Sequence, residues 1–509
     1  MATIADLSGG KLLWPNSVRL MTHSFKIEKQ AHLSAKMQKV KKLREPKIFH
    51  GLEVTALSSD GRGIAKHDGK VVFVEMAAPG DVVDVEVRRD KKKYLEGKIA
   101  GVVSSSALRV KPNCVHFGIC GGCKLQHIAF EEQLKFKRQM VVDAFERIGH
   151  LRFPEVPAVK DSEKQYYYRN KMEYTFTDRR WLTDEEIKTG ASYEHRNGVG
   201  FHVPENFLGV IDVEHCWLQA DPSNPIRLAA RDFALQQGYT FFNLAKKEGF
   251  VRNLMVRTAS TGETLVLFSF GENDQDKVNA MLSHLLQLFP NITSLQYVIN
   301  TKKNDTIYDL ETIVFHGKDH IIEQLGNYRF KIGPKSFFQT NSAQAKVLYD
   351  ITKEFADLKP TDVVYDLYTG VGSIALYLSD ACARITGIEQ VEAAIVDAKE
   401  NAQLNNVNNC TFYAGDVRMV LNPEFIATNG KPDVVVTDPP RAGMHEDVVN
   451  TLLELAAPRI VYVSCNPATQ ARDLQLLAVK YDILKVQPVG MFPQTTHIEN
   501  VALLELRSK

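Results

Sequence analysis

Seven short apolar runs recur along the C-terminal third of the chain, at 363–367, 385–389, 411–414, 434–437, 460–464, 483–486 and 501–506. Helix-like segments, notably 391–404 and 448–455, separate most of them. Strands alternating with helices bury their apolar faces as a sheet covered on both sides. The spacing therefore predicts an α/β fold over 331–509, a doubly wound, mostly parallel, Rossmann-like domain. The remainder reads differently. Residues 1–46 show no periodicity and read as an N-terminal extension. Over 47–105, short strand-like runs are punctuated by turns at Asp68-Gly69 and Pro79-Gly80-Asp81. There Val83, Val85 and Val87 alternate with Asp84 and Glu86, as in a half-buried strand. About five such strands fit a small OB-like barrel. Residues 106–330 read as a central α+β domain, with an amphipathic helix at 130–150, strands at 255–258 and 263–269, and a helix near 277–288.

Composition narrows the class. Of 509 residues, 44% are hydrophobic and 24% charged, which excludes a disordered or fibrous chain. No apolar run approaches the roughly 18 residues a membrane span needs, and the first residues lack the pattern of a secretory signal. Seven cysteines in so long a chain fit a reducing cytoplasm, where clustered thiols bind metal or do chemistry. Net charge is only +1, but it is unevenly spread. Residues 333–509 hold 15 basic and 21 acidic side chains, which leaves a net +7 on the first 332. Lys26–Lys47 carries eight basic residues against two acidic, and Arg88-Arg89-Asp90-Lys91-Lys92-Lys93 is a second basic run. A basic front on an acidic back suggests a front that meets phosphates.

The first strand of the α/β region runs into Asp366-Leu-Tyr-Thr-Gly370-Val-Gly372-Ser-Ile-Ala375. This also matches the dinucleotide pattern G-x-G-x-x-A. An acidic residue just ahead of the glycines, however, would repel a pyrophosphate and suits a cofactor with a positive group, such as S-adenosylmethionine (SAM). Glu389, ending the second strand, is placed for ribose hydroxyls, and Gly415-Asp416 follows the third. The fourth strand ends in the rigid loop Asp438-Pro-Pro-Arg441, the fifth in Ser464-Cys465-Asn466-Pro467. A thiol at the open edge of the sheet is a candidate nucleophile, and Glu499, opening the last strand, a candidate base. These parts fit one reaction. A thiolate adding to C6 of a uracil makes C5 nucleophilic enough to accept a methyl group, and a base then removes the C5 proton. Asp438 would bond the uracil edge. Nearer the N-terminus, Cys114-x5-Cys120-Gly-Gly-Cys123 with Cys216 is a metal or cluster signature, open to tetrahedral zinc or to [4Fe–4S]. Tyr166-Tyr-Tyr168-Arg169-Asn-Lys171 mixes aromatic and cationic side chains suited to RNA.

With these motifs the chain resembles the RumA/TrmA family of SAM-dependent RNA uracil-C5 methyltransferases, most of all the 23S rRNA branch, over roughly residues 47–509. The resemblance implies an N-terminal TRAM domain and a [4Fe–4S] cluster on Cys114, Cys120, Cys123 and Cys216. It implies a SAM site using Gln339 of Phe337-Phe338-Gln339-Thr-Asn341 together with Tyr368, Gly370, Ser373, Glu389, Asp416 and Asp438. It places the nucleophile at Cys465 and the base at Glu499. Ser373 and Asp416 depart from the rRNA branch, which often has Asn at both. RNA cytosine-C5 methyltransferases carry their nucleophile directly after the Asp-Pro-Pro loop; here Arg441 holds that place, which favours uracil. The expected partner is RNA, rRNA before tRNA, with no membrane and no obligate protein partner.

Overall fold

The computed structural model describes residues 46–508 apart from 191 and 194. The extension and most of the basic run at 26–47 lie outside these residues. Six strands form the first sheet: β1 (Ile48–Glu53), β2 (Ala56–Leu57), β3 (Gly63–His67), β4 (Lys70–Glu75), β5 (Val82–Asp90) and β6 (Tyr94–Ser104), in the order β1-β5-β6-β4-β3-β2. Val83 and Val85 of β5 are buried while Asp84 and Glu86 face outward, as the alternation predicts. Their side of the sheet joins Val54, Ala65, Val72, Val74 and Leu95 in one small core. Asp81, in the turn before β5, is fully buried beneath Arg109, whose Nη2 donates to it at 2.7 Å. That ion pair ties the barrel to the segment carrying the first three cysteines.

Helix α1 (Phe130–Arg147) follows. Its Val141, Ala144 and Phe145 pack into the core of the C-terminal sheet, beside Ala471 and Leu474. The central sheet has seven strands: β7 (Lys171–Thr177), β8 (Gly198–Val203), β9 (Asn206–Asp212), β10 (Val251–Thr258), β11 (Thr264–Phe270), β12 (Ser294–Ile299) and β13 (Ile313–Gly317), ordered β13-β12-β11-β10-β7-β8-β9. Helices α2 (Ser223–Gln236) and α3 (Gln275–Leu288) cover one of its faces. A hairpin, β14 (Ile321–Leu325) and β15 (Tyr328–Ile332), then buries Ile321, Leu325, Phe330 and Ile332 in the C-terminal core. The boundary expected at 331 thus falls within β15.

Helix α4 (Ser342–Ala356) leads into the last sheet: β16 (Val363–Leu367), β17 (Arg384–Glu389), β18 (Cys410–Ala414), β19 (Val434–Thr437), β20 (Arg459–Ser464), β21 (Tyr481–Val489) and β22 (Glu499–Leu506). The order is β18-β17-β16-β19-β20-β22-β21. The first five strands are parallel, with α5 (Ser373–Leu378), α6 (Glu392–Leu404) and α7 (Glu446–Leu455) in their crossovers, and α8 (Pro467–Leu477) connects β20 to β21. β22 is antiparallel to both its neighbours. This reversal matters, because it brings the start of β22 to the edge where β16, β19 and β20 end.

The loop before β22, residues 490–498, is held by consecutive carbonyls. Asn341 Nδ2 donates to Met491 O at 2.8 Å, Lys137 Nζ to Phe492 O at 2.9 Å, Tyr168 Oη to Pro493 O at 2.9 Å, and the amides of Lys124 and Leu125 to Gln494 O at 2.8 and 3.0 Å. Gln133, buried on α1, exchanges side-chain bonds with Gln494: its Nε2 donates to Gln494 Oε1 at 3.0 Å and its Oε1 accepts from Gln494 N at 3.2 Å. Gln494 sits at φ +65°, a left-handed conformation that this grip maintains. Truncating Gln133 strands several buried polar groups at once. Gln133→Ala is expected to cost about 2–3 kcal/mol, read as a lowered denaturant midpoint. A midpoint equal to wild type would show that the loop is held without it.

Candidate functional site: the carboxyl edge of the C-terminal sheet

Asp366 lies one residue before the end of β16 and is fully buried. Thr369 Oγ1 donates to its Oδ2 at 2.5 Å, and its Oδ1 has no partner. Burial pushes its carboxyl up to about 7. Beyond it the chain turns through Tyr368 (φ +65°), Gly370 (φ +56°) and Gly372 (φ +78°), the last capping α5. A side chain at Gly370 would meet only open space, so what the glycine leaves clear is an approach to the backbone. Glu389 accepts from Gly370 N at 3.2 Å and from Val391 N at 2.9 Å, which fixes its carboxylate beside the glycine turn. Ser373 Oγ lies 2.8 Å from Tyr349 Oη. Asp416 caps the short helix Val417–Val420 and is ion-paired with Arg418, which holds its carboxyl below the usual range. Gln339 is half-buried and its carbonyl accepts from Asn170 Nδ2 at 3.0 Å; Asn341, two residues on, caps α4.

Asp438 follows β19, and burial with the charge of Asp366 pushes its carboxyl up to about 7. Cys465 follows β20. Asn466 caps α8, and its Nδ2 donates to Arg441 O at 3.0 Å, which locks the Cys-Asn-Pro turn onto the Pro-Pro-Arg loop. Ser464 pairs with Asn500 across β20 and β22, so Glu499 comes level with Cys465. Glu499 is buried, and burial together with Asp438 raises it to about 8 against the opposing pull of Arg441. Burial, Glu499 and Asp438 raise the half-buried Cys465 thiol to about 11, again opposed by Arg441. Cys465, Glu499, Asp438 and Asp366 thus interact at one edge. The other thiols of this domain differ. Cys382 and Cys410 point at backbone carbonyls of Leu378 and Ala375, as packed cysteines do.

Several contributors carry no sequence signal. Tyr349 is buried on α4, and its phenol is raised by burial and by Asp438, Asp366 and Glu499. Lys137 is fully buried, its ammonium pushed down to about 7 by burial alone. His497 Nδ1 lies 3.4 Å from Arg441 Nη2. Tyr168 is buried, whereas Tyr167 bonds His215 at 2.9 Å and packs on Trp217. Arg169 lies over the Phe492 ring. The expected RNA-facing run is therefore divided between the loop grip and an aromatic cluster.

The four cysteines Cys114, Cys120, Cys123 and Cys216 are free thiols that line one cavity of about 570 Å³, shared with Arg169 and His497. Burial raises all four, Cys120 and Cys123 to about 12. Among the described residues no group of three or more His, Cys, Asp or Glu converges to hold a metal ion. The four cysteines line one cavity, and neither expected occupant, a [4Fe–4S] cluster or zinc, is matched by a converged ligand group.

A parallel sheet with a glycine turn after its first strand, an acidic residue closing its second and an orphaned buried carboxylate oxygen between them fits a ligand with a ribose and a positive charge. A fold and edge of this kind suit the class of SAM-dependent methyltransferases. Residues 261–507 match the family model described as tRNA (Uracil-5-)-methyltransferase, and residues 52–100 match the TRAM domain. An "Uncharacterized RNA methyltransferase" of Bacteroides thetaiotaomicron is 50% identical over 454 residues, covering 89% of this chain and 100% of its own. Another of Chlorobaculum tepidum is 39% identical over 86% of this chain and 92% of its own. Among solved structures, Pyrococcus abyssi tRNA (uracil-54, C5)-methyltransferase in complex with S-adenosyl-L-homocysteine is 30% identical, with a TM-score of 0.68, over 90% of this chain and all of that one. The chain belongs to the RNA (uracil-5-)-methyltransferase family. No helix among the described residues is long and apolar enough to cross a membrane.

Asp366, raised to about 7 by burial, is expected to ionise when a cation binds beside it, while its charge keeps the carboxyl of Asp438 raised. SAM affinity is therefore expected to strengthen from about pH 6 to about pH 8, with proton release on binding near pH 7. Calorimetry in buffers of different ionisation enthalpy measures both. Affinity independent of pH, without proton release, would contradict the assignment.

Proposed function

We propose that this protein methylates C5 of a uridine in RNA through a transient bond between Cys465 and C6 of the base. The observation that carries the reading is the juxtaposition of a half-buried thiol, a buried carboxyl group and a second carboxyl group at the edge where the glycine turn opens. Gln339, Tyr368, Gly370, Ser373, Glu389, Asp416 and Asp438 would hold SAM, which supplies a methyl carbon on a sulfonium. Glu389 suits the ribose hydroxyls, and the open face of Gly370 suits close approach of the ligand. Asp416 Oδ1 accepts from Arg418 N and Nε and its Oδ2 from Nε and Nη2, so a role in holding SAM requires this pair to open.

Cys465 adds to C6, and the electron pair moves through C5 toward O4. Asp438, held partly protonated by Asp366, can donate to the uracil edge where that charge develops. The thiol starts protonated, since its ionisation lies near 11, so its proton must leave as the bond forms. That proton is lost to solvent, and Glu499, level with the thiol and ionising near 8, stays free for the C5 proton. After C5 is methylated, Glu499 removes the C5 proton, the ring regains its double bond and Cys465 departs. Arg441 tempers the negative charge of both.

The base must be single-stranded or flipped out to reach Cys465. The barrel, with Arg88, Arg89 and Lys91–Lys93, would hold flanking phosphates. The substrate proposed is rRNA, as the resemblance to the 23S branch implies. A second reading, a tRNA uridine, is favoured by the similarity to the P. abyssi tRNA enzyme over that enzyme's whole length. We also propose that Cys114, Cys120, Cys123 and Cys216 hold a [4Fe–4S] cluster that orders the central domain, a reading supported by four free thiols around one cavity. A cytoplasmic setting is consistent with reduced cysteines.

With RNA containing 5-fluorouracil, whose C5 substituent is not removed as a proton, wild type and SAM are expected to give a gel-stable adduct. Cys465→Ala gives none. Glu499→Gln is expected to accumulate adduct on unmodified RNA and to lose turnover by roughly 10²–10⁴-fold. Turnover at the wild-type rate in Glu499→Gln would remove it from the mechanism. For the cysteines, anaerobic purification is expected to yield a brown protein with iron and sulfide. A colourless protein without iron would end the cluster assignment.

A further inference from the structure

The loop after β19 carries both Asp438 and Arg441, and most of what fixes it comes from the helix that starts beside Cys465. At the loop's beginning Asp438 N donates to Leu367 O at 3.3 Å, and Pro439 and Pro440 then leave the backbone little freedom. At its end, residues 441–444 lie along α8. Arg441 O accepts from Asn466 Nδ2 at 3.0 Å and from Thr469 Oγ1 at 3.2 Å. Arg472 Nη2 donates to Ala442 O at 3.0 Å and to Met444 O at 3.1 Å. Met444 N donates to Asp473 Oδ2 at 2.8 Å. The clamping residues Asn466, Thr469, Arg472 and Asp473 recur at the spacing of one helix face. Gly443 is pressed so closely against that face that a Cβ would stand 2.6 Å from both Arg472 Nη2 and Asp473 Oδ2.

Asp473 anchors the clamp. It is 1% exposed, its Oδ2 also accepts from Tyr462 Oη at 2.6 Å, and its Oδ1 accepts from Arg472 Nε at 2.8 Å. The side chain of Arg441, in contrast, is exposed, and its Nη2 meets His497 Nδ1 only at 3.4 Å, long for a hydrogen bond. A cation held so loosely at its tip takes its place from the backbone it springs from. The charged groups that act on the Cys465 thiol are Glu499 at the start of β22 and, from this loop, Asp438 and Arg441. Of these charges Arg441 alone favours the thiolate.

We propose that Arg472 and Thr469 are positioning residues: from the helix that Cys465 leads into, they hold loop 441–444 so that the Arg441 guanidinium stays beside the thiol and Glu499. One rigid element then sets both the nucleophile and its counter-charge. The proposal deepens the reading of Cys465 as the nucleophile and rests on it.

The test is the rate at which iodoacetamide alkylates Cys465 in the full chain, without RNA or SAM, from about pH 7 to about pH 10, read by mass spectrometry of the Cys465 peptide. Arg472→Met keeps the stem of the side chain and loses the bonds to Ala442 and Met444. It is expected to slow alkylation about threefold throughout this range, in the same direction as Arg441→Met, since the thiolate loses part of its cation. Thr469→Val, of nearly the same shape, is expected to slow it about twofold. Adding Arg472→Met to Arg441→Met slows it no further, because the guanidinium to be placed is gone. Cys382, buried in the core of the same sheet, stays unreactive and reports an intact fold. Methyl transfer slows by the same factors. Alkylation of Cys465 at the wild-type rate, whatever the loss of stability, or effects of the two arginine variants that add, would overturn the proposal. If Arg472→Met does not fold, Thr469→Val decides alone by the same reading. If wild type transfers no methyl group to RNA, the functional reading fails while alkylation still scores the positioning.

Discussion

Asp366 and Glu499, both buried, and the half-buried Asp438 place three carboxyl groups at one edge of a sheet, each pushed above its ordinary range by burial and by carboxyl neighbours. Such a cluster is costly unless it is partly protonated or faced by a cation. Arg441 offsets it incompletely, from the rim. The rest of the site follows from this strain. It favours a ligand bearing positive charge, it keeps a proton available beside the developing charge of a substrate ring, and it leaves Glu499 a stronger base than a surface glutamate.

Holding these groups together takes most of the molecule. Asp366 and Asp438 come from adjacent parallel strands, Cys465 from the next, and Glu499 from an antiparallel strand that must enter from the opposite direction. That entry is governed by loop 490–498. Its carbonyls are gripped by α4's capping residue, by α1, by the central domain and by the amide next to Cys123. The cysteine loop and the base strand are therefore joined through a single residue, Gln494. On the proposed reading, order imposed on the cysteines would pass through Gln494 to the strand that carries Glu499.

Much of the last sheet was legible in the sequence because parallel strands buried on both faces are continuous apolar runs. β16 and β19 begin and end where those runs do. The motifs at strand ends were legible because small and rigid residues, Gly370, Pro439 and Pro467, mark where a chain leaves a sheet. Strand order was not legible, and neither was the reversal of β22, since direction depends on connections and not on local pattern. The central sheet showed only two of its seven strands: the missed ones include the nearly fully buried β12 as well as the exposed edge strand β13, so no single burial pattern marked them. Gln133 and Gln494 are separated by 361 residues, and nothing local marks either as a partner. The run at Tyr166–Lys171 is ambiguous for a related reason: aromatic and basic side chains read alike whether they bind RNA or, as with Tyr168, brace a loop.

The bond between Cys465 and C6 is the central claim, and the fate of the C5 hydrogen tests it most directly. RNA carrying tritium at C5 of its uridines, incubated with enzyme and SAM, should release tritium to water in a one-to-one ratio with methyl transferred, and Cys465→Ala should abolish both. Methyl transfer with the tritium retained in the RNA would contradict the account, because the methyl group would then have gone to another atom.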